Sequence, residues 1–126
     1  MKTITIHKTK HTPEVVINYY RDTFSIEGES VPEDAAEFYT HVLEEFKKYK
    51  ETKSEVLFII NLESLNAGSI KCLLTLFKEA STNEGNFQKA RVEWFFPKND
   101  KALKQSGEVF EHISQLKFVY KQKDKS

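Results

Sequence analysis

The stretch from Ser54 to Ala80, SEVLFIINLESLNAGSIKCLLTLFKEA, constrains this chain more than any other. It opens with an unbroken apolar run, Val56 to Ile60, too short to cross a membrane and bounded by polar residues. Such a run predicts a central strand buried on both faces. A loop of small residues follows, Asn66, Ala67, Gly68 and Ser69, and beyond it Ile70, Leu73, Leu74, Phe77 and Ala80 fall on one helical stripe. The strand therefore delivers a small-residue loop to the start of a helix. Free backbone N–H groups and the positive end of the helix dipole meet there, a setting that suits an anion or a phosphorylated hydroxyl. A plain helix cap by Asn66 or Ser69 accounts for the same residue types.

The rest of the chain arranges itself around that unit. Lys2 to His7 alternates as a half-buried strand, and Lys8 to Pro13 reads as a turn or extended connector. Glu14 to Tyr20 and Thr23 to Glu27 predict a hairpin about Arg21-Asp22, closed by Gly28. Ser30, Pro32 and Glu33 resemble a helix start, with Ser30 as cap, and the apolar spacing of Ala35, Phe38, Val42, Phe46 and Tyr49 extends the helix from Val31 to Tyr49. Ala90 to Phe96 predicts a strand with Val92, Trp94 and Phe96 on one face. Asp100 then caps a third helix to Ile113, weakened by Gly107, and Lys117 to Tyr120 makes a last short strand. Lys121 to Ser126 is a charged end expected to fray.

This order predicts a mixed sheet, with late strands parallel and the early hairpin antiparallel. Thr3, Thr5, Ser25, Glu27, Arg91 and Glu93 give several strands a polar face, so the helices should cover mainly one side. The other side, with Phe95 near it, is a partner or dimer face or is covered by loops.

Composition narrows the function classes. The 126 residues form one domain, able to bury roughly two-thirds of its unfolded surface without staples. Nineteen basic and nineteen acidic residues cancel, leaving no field to gather nucleic acid or anionic lipid. The single cysteine, Cys72, fits a reducing, cytoplasmic setting and a packed thiol rather than a nucleophile. His7, His11, His41 and His112 show no metal-ligand spacing, and the four glycines make no phosphate loop. Nothing in the spacing indicates catalysis or a cofactor.

Three pieces together resemble a known family: Thr12-Pro13 before the hairpin; GESVPEDAAEFY, Gly28 to Tyr39; and LESLNAGSIKCLL, Leu62 to Leu74, followed by Val92-Glu93-Trp94 and the segment from Asp100 to Glu108. Over nearly the whole chain they resemble the regulatory phosphoproteins typified by SiaC. The resemblance implies a fold similar to STAS domains, an α/β mixed sheet of five to six strands with about three helices mainly on one face. It also implies a non-enzymatic, partner-switching role. In that family a kinase phosphorylates a hydroxyl at the helix start after the central strand, a phosphatase reverses it, and the unphosphorylated form engages a target, in one branch a diguanylate cyclase. Carried onto this sequence, the partner-binding positions are Asn66, Ala67, Gly68, Ser69 and Lys71. The family loop reads Asn-Thr-Ser-Ser, with the threonine as acceptor, but here that position is Ala67. Ser69 is the hydroxyl left in the helix start and becomes the phosphorylation candidate, with Lys71 expected beside it. A constitutive, unphosphorylated interaction or dimerisation module and a small anion-binding domain are the alternatives.

Overall fold

In the computed structural model, which describes residues 2–123, nine elements follow one another. They are β1 (Thr3–Ile6), β2 (Glu14–Asn18), β3 (Thr23–Ser30), α1 (Ala35–Thr52), β4 (Glu55–Leu65), α2 (Ala67–Ala80), β5 (Lys89–Pro97), α3 (Lys101–Ser114) and β6 (Lys117–Lys123). The strands form one sheet in sequential order, antiparallel from β1 to β3 and parallel from β3 to β6. Each parallel pair is joined through one helix. Crossovers of one hand that step in one direction across a sheet all pass over the same face, so the three helices share a side.

That topology corrects one expectation. The run from Val56 to Ile60 is not buried on both faces: Val56, Phe58, Ile60 and Leu62 are buried under the helices, whereas Leu57, Ile59 and Asn61 are only half-buried. Beneath the helices, aromatic rings run in an unbroken chain across the sheet. Phe24 packs on Phe58 at 5.2 Å, Phe58 on Phe77 at 5.5 Å, Phe77 on Phe110 at 5.3 Å and Phe110 on Trp94 at 5.5 Å. These tilted and edge-on contacts add roughly 0.5–1.5 kcal/mol per pair beyond area burial.

The hairpin register pairs Val15 with Ile26 and Ile17 with Phe24. Its turn is held by Asn18, whose Oδ1 accepts from the N–H groups of Tyr20 and Arg21, so no Asn-Gly pair is needed. Gly28 does not close this hairpin. β3 runs on through Gly28, at φ +120°, to Ser30, with a register shift at Gly28/Glu29. Ser30 is accordingly not a helix cap, and α1 begins at Ala35, capped by Asp34, whose Oδ1 accepts from Glu37 N–H at 3.0 Å. Val31 precedes a proline and is steered away from helical backbone, while Ser30 is already paired with Leu65 of β4.

α2 buries Ser69, Leu73, Leu76, Phe77 and Ala80, with Ile70 and Leu74 at the margin of the covered arc. α2 packs against both α1 and α3, which widens and turns that arc relative to the expected stripe. In α3, Gly107 is a packing requirement: a Cβ there would lie 2.8 Å from the buried Trp94 ring, whose Nε1–H donates to Leu103 O at 3.0 Å. Lys121–Lys123, expected to fray, belong to β6; residues 124–126 lie outside the described residues.

Lys50, at the end of α1, is the one buried charge among the described residues. Its three ammonium protons are shared among Glu79 O, Glu79 Oε2, Thr82 O and Glu84 Oε1 at 2.8–3.0 Å, and the nitrogen lies 5.3 Å from the Phe87 ring centre. The Lys50 hydrogen bond holds the Glu84 carboxyl below its usual range.

Gly107→Ala tests the α3 packing. Helix propensity alone favours alanine by about 1 kcal/mol, but overpacking against Trp94 costs about 1–3 kcal/mol. Urea unfolding should show a net loss of stability; a gain would mean that the indole yields freely.

Candidate functional site

β4 ends and α2 begins at Asn66, and every polar group of this residue is used. Its N–H donates to Ser30 O at 3.0 Å, and its C=O accepts from Ile70 N–H at 3.1 Å. The side-chain Oδ1 caps the helix by accepting from Ser69 N–H at 2.9 Å, while Nδ2 donates to Pro32 O at 2.7 Å. One asparagine thus ties the end of β3, the loop before α1 and the first turn of α2 together. Gly68 lets the two helix starts close up, because a Cβ at that position would meet Ala35 Cβ at 3.0 Å.

The expected site residues divide by exposure. Ala67 and Lys71 face solvent, Asn66 and Gly68 are half-buried, and Ser69 is 0 % exposed. Lys71 does not sit beside the Ser69 hydroxyl, since residues two apart on a helix point in different directions. Cys72 is half-buried, and burial pushes its thiol up.

Ser69 belongs to a hydroxyl relay beneath the helix start. Its Oγ donates to Ser30 O at 3.0 Å and accepts from Ser30 Oγ at 2.8 Å. Each hydroxyl carries one proton, so the 2.6 Å contact between Tyr39 and Ser30 must run from Tyr39 O–H to Ser30 Oγ. Tyr39, Ser30 and Ser69 therefore form a directed chain ending on a backbone carbonyl. Ser30 and Tyr39 were missed as site residues by sequence reasoning. Ser30 looks there like a helix cap, and no local signal joins it to Ser69, nearly forty positions on. Burial pushes the Tyr39 phenol up to about 12, with the Ser30 hydrogen bond acting the other way.

The setting is a poor one for a free anion. The neighbouring α1 start exposes Glu33, Asp34 and Glu37, which oppose the positive end of the α2 dipole. A depression of about 610 Å³ lies on the far side of the sheet, lined by residues such as Glu14, Glu27, Asn61 and Glu63 rather than by residues 66–71. Among the described residues no three His, Cys, Asp or Glu side chains gather as metal ligands, and no helix is long and apolar enough to cross a membrane.

Fold and site together describe a small α/β protein, one mixed six-stranded sheet with three helices on one side. Residues 6–123 match the family described as SiaC family regulatory phosphoprotein. The chain belongs to that family. Three solved chains share its fold. The SiaC structure from Pseudomonas aeruginosa is 18% identical, with a TM-score of 0.85 over 98% of this chain and 100% of that one. A chain in the crystal structure of the diguanylate cyclase SiaD in complex with its activator SiaC, from the same organism, is 17% identical with a TM-score of 0.85, covering 95% of this chain and 99% of that one. The apo-SiaC crystal structure, again from Pseudomonas aeruginosa, is 22% identical with a TM-score of 0.77, covering 96% and 99%. No curated protein sequence matches the chain.

Removing the phenol in Tyr39→Phe should cost about 1 kcal/mol near neutral pH, the net worth of one hydrogen bond. The raised phenol also makes stability pH-dependent. Below pH 10 both states are protonated; between 10 and about 12 only the unfolded chain ionises, so stability falls as pH rises through that window. Urea unfolding at pH 9 and pH 11 should show a drop about 1 kcal/mol smaller in Tyr39→Phe than in the parent. Equal drops would place the Tyr39 hydroxyl in water.

Proposed function

We propose that this chain is a non-enzymatic cytoplasmic regulator that docks a protein partner through the start of α2, with a diguanylate cyclase as the target class. Family membership and the likeness to a chain from the SiaD–SiaC complex support the target class. The docking surface combines the exposed Ala67 and Lys71 with the loop that Asn66 holds in place.

The chain works as a binding-competent module by default. One observation carries this reading: the family's acceptor position is the exposed Ala67, which has no hydroxyl, whereas Ser69 is fully buried with its proton committed to Ser30 O. A kinase acting on Ser69 must first open the first turn of α2 and break the relay. If a phosphate did form there, about two negative charges would occupy a site now buried, so the turn could not close over it. At position 67 a phosphate would instead stand in solvent at the positive end of the helix, favoured by about 0.3–1 kcal/mol.

The decisive comparison is parent against Ala67→Thr, each incubated with the family kinase encoded by the same genome and ATP and then weighed intact. The parent should gain no phosphate, and Ala67→Thr should gain one at Thr in position 67. A phosphate on Ser69 of the parent would overturn the constitutive reading in favour of a switch at Ser69.

Charge variants test the docking surface in a second way. Ala67→Asp should leave thermal stability within about 0.5 kcal/mol of the parent and abolish capture of the cyclase. Ser69→Asp, which buries a carboxylate, should destabilise by several kcal/mol. Unchanged capture by Ala67→Asp would remove the α2 start from the interface.

A further inference from the structure

With all three helices on one side, the opposite face of the sheet stands open, and its side chains are sorted by type. Half-buried Leu57 and Ile59 of β4 and Phe95 of β5 occupy its middle, next to Val119 of β6, which is 46 % exposed. Around them the charges separate by strand. β3 and β4 present Glu27, Glu55 and Glu63; β5 and β6 present Lys89, Arg91, Lys117, Lys121 and Lys123. The acid on the basic half is Glu93, which is already paired with Lys121 at 3.5 Å. A depression of about 610 Å³ lined by Glu27, Asn61, Glu63, Pro97 and Lys123 confirms that these residues share one face. A chain of zero net charge thus carries one sheet face with an acidic half, a basic half and an apolar centre.

Such a face is complementary to itself. A two-fold axis laid along the β4–β5 seam places β4 over β5 of a second copy and β3 over its β6. The operation keeps each residue at its own level along the strands. Glu55 is level with Lys89 in the sheet and so faces Lys89 of the second copy. Glu27 is level with Asn61, Phe95 and Lys121 and so faces Lys121 of the second copy. Leu57, Ile59 and Phe95 lie beside the axis and approach their counterparts diagonally across it, with Arg91, Glu93 and Asn61 of the second copy directly opposite them. Stacked sheets take this arrangement readily, about 10 Å apart with strands within about 30°. An axis laid across the strands would instead set the lysines of β6 against one another.

We propose that the chain forms a two-fold dimer through this open sheet face, with Leu57, Ile59 and Phe95 about its axis and Val119 and the Glu27–Lys121 and Glu55–Lys89 pairs towards its rim. An apolar centre inside a charged rim is the usual build of a protein interface. The start of α2 belongs to the helix layer, so the dimer leaves two docking sites free, and the proposal stands or falls independently of them.

Sedimentation equilibrium of the full chain in low salt tests it. The parent should sediment as a dimer and loosen in 1 M salt. Glu55→Lys and Lys89→Glu should each weaken self-association about tenfold, because each reversal sets like charges against each other twice in the dimer. The double variant Glu55→Lys/Lys89→Glu should recover the parent's association, since each reversed residue then meets a reversed partner. Val119→Asp, at an exposed position, should give a folded monomer by circular dichroism. A parent that stays monomeric at millimolar concentration overturns the proposal. A dimer indifferent to all these changes overturns it too, by placing the contact elsewhere.

Discussion

The helix layer meets the sheet at Asn66, and the conformation of the α2 start depends on that residue. Its four polar groups reach four different places: the end of β3, the loop before α1, and the N–H groups of Ser69 and Ile70 in the first turn of α2. Aspartate in its place would still cap the helix but could not donate to Pro32 O, and serine would lack the reach to do both. The relay from Tyr39 through Ser30 to Ser69 reinforces the same junction from below, with each proton committed. A buried polar network that is fully satisfied specifies one arrangement, because any alternative leaves a donor or acceptor unpaired in a place without water.

Lys50 does the corresponding job at the other end of the layer. Its ammonium gathers two carbonyls and two carboxylates and so holds the turn after α2 to the end of α1. An isolated buried ammonium would be strongly unfavourable, but here hydrogen bonds and two carboxylates compensate it. Between these two polar ties lies a core of interlocking aromatic rings with its own preferred edge-on geometry. The layer is thus held polar at its ends and apolar between them. This division leaves the α2 start tied down by hydrogen bonds while Ala67 stays exposed.

Much of the fold was legible from pattern alone. The element order, the mixed sheet, the inward faces of Val92, Trp94 and Phe96, and the caps at Asn66 and Asp100 all follow from local periodicity and capping chemistry. The misreadings share a cause. Ser30, Pro32 and Glu33 do look like a helix start, but the pairing of Ser30 with Leu65, a contact between distant segments, won over the local signal. Gly107 looked like a weak point and is a fit to Trp94, a residue on another element. Ser69 looked like an available hydroxyl for the same reason: its composition and place on the helix are visible in sequence, while its partners are not.

What the chain's sequence determined by itself is the series of elements and the Asn66 cap at the α2 start, because both rest on interactions within a few residues. Whether a hydroxyl in that helix start is exposed or buried depends on where β3 ends and on which side chains of α1 reach it. Whether a strand of five apolar residues is covered on one face or two depends on the direction in which the crossovers step. Those are questions of long-range packing, and only the tertiary structure decided them.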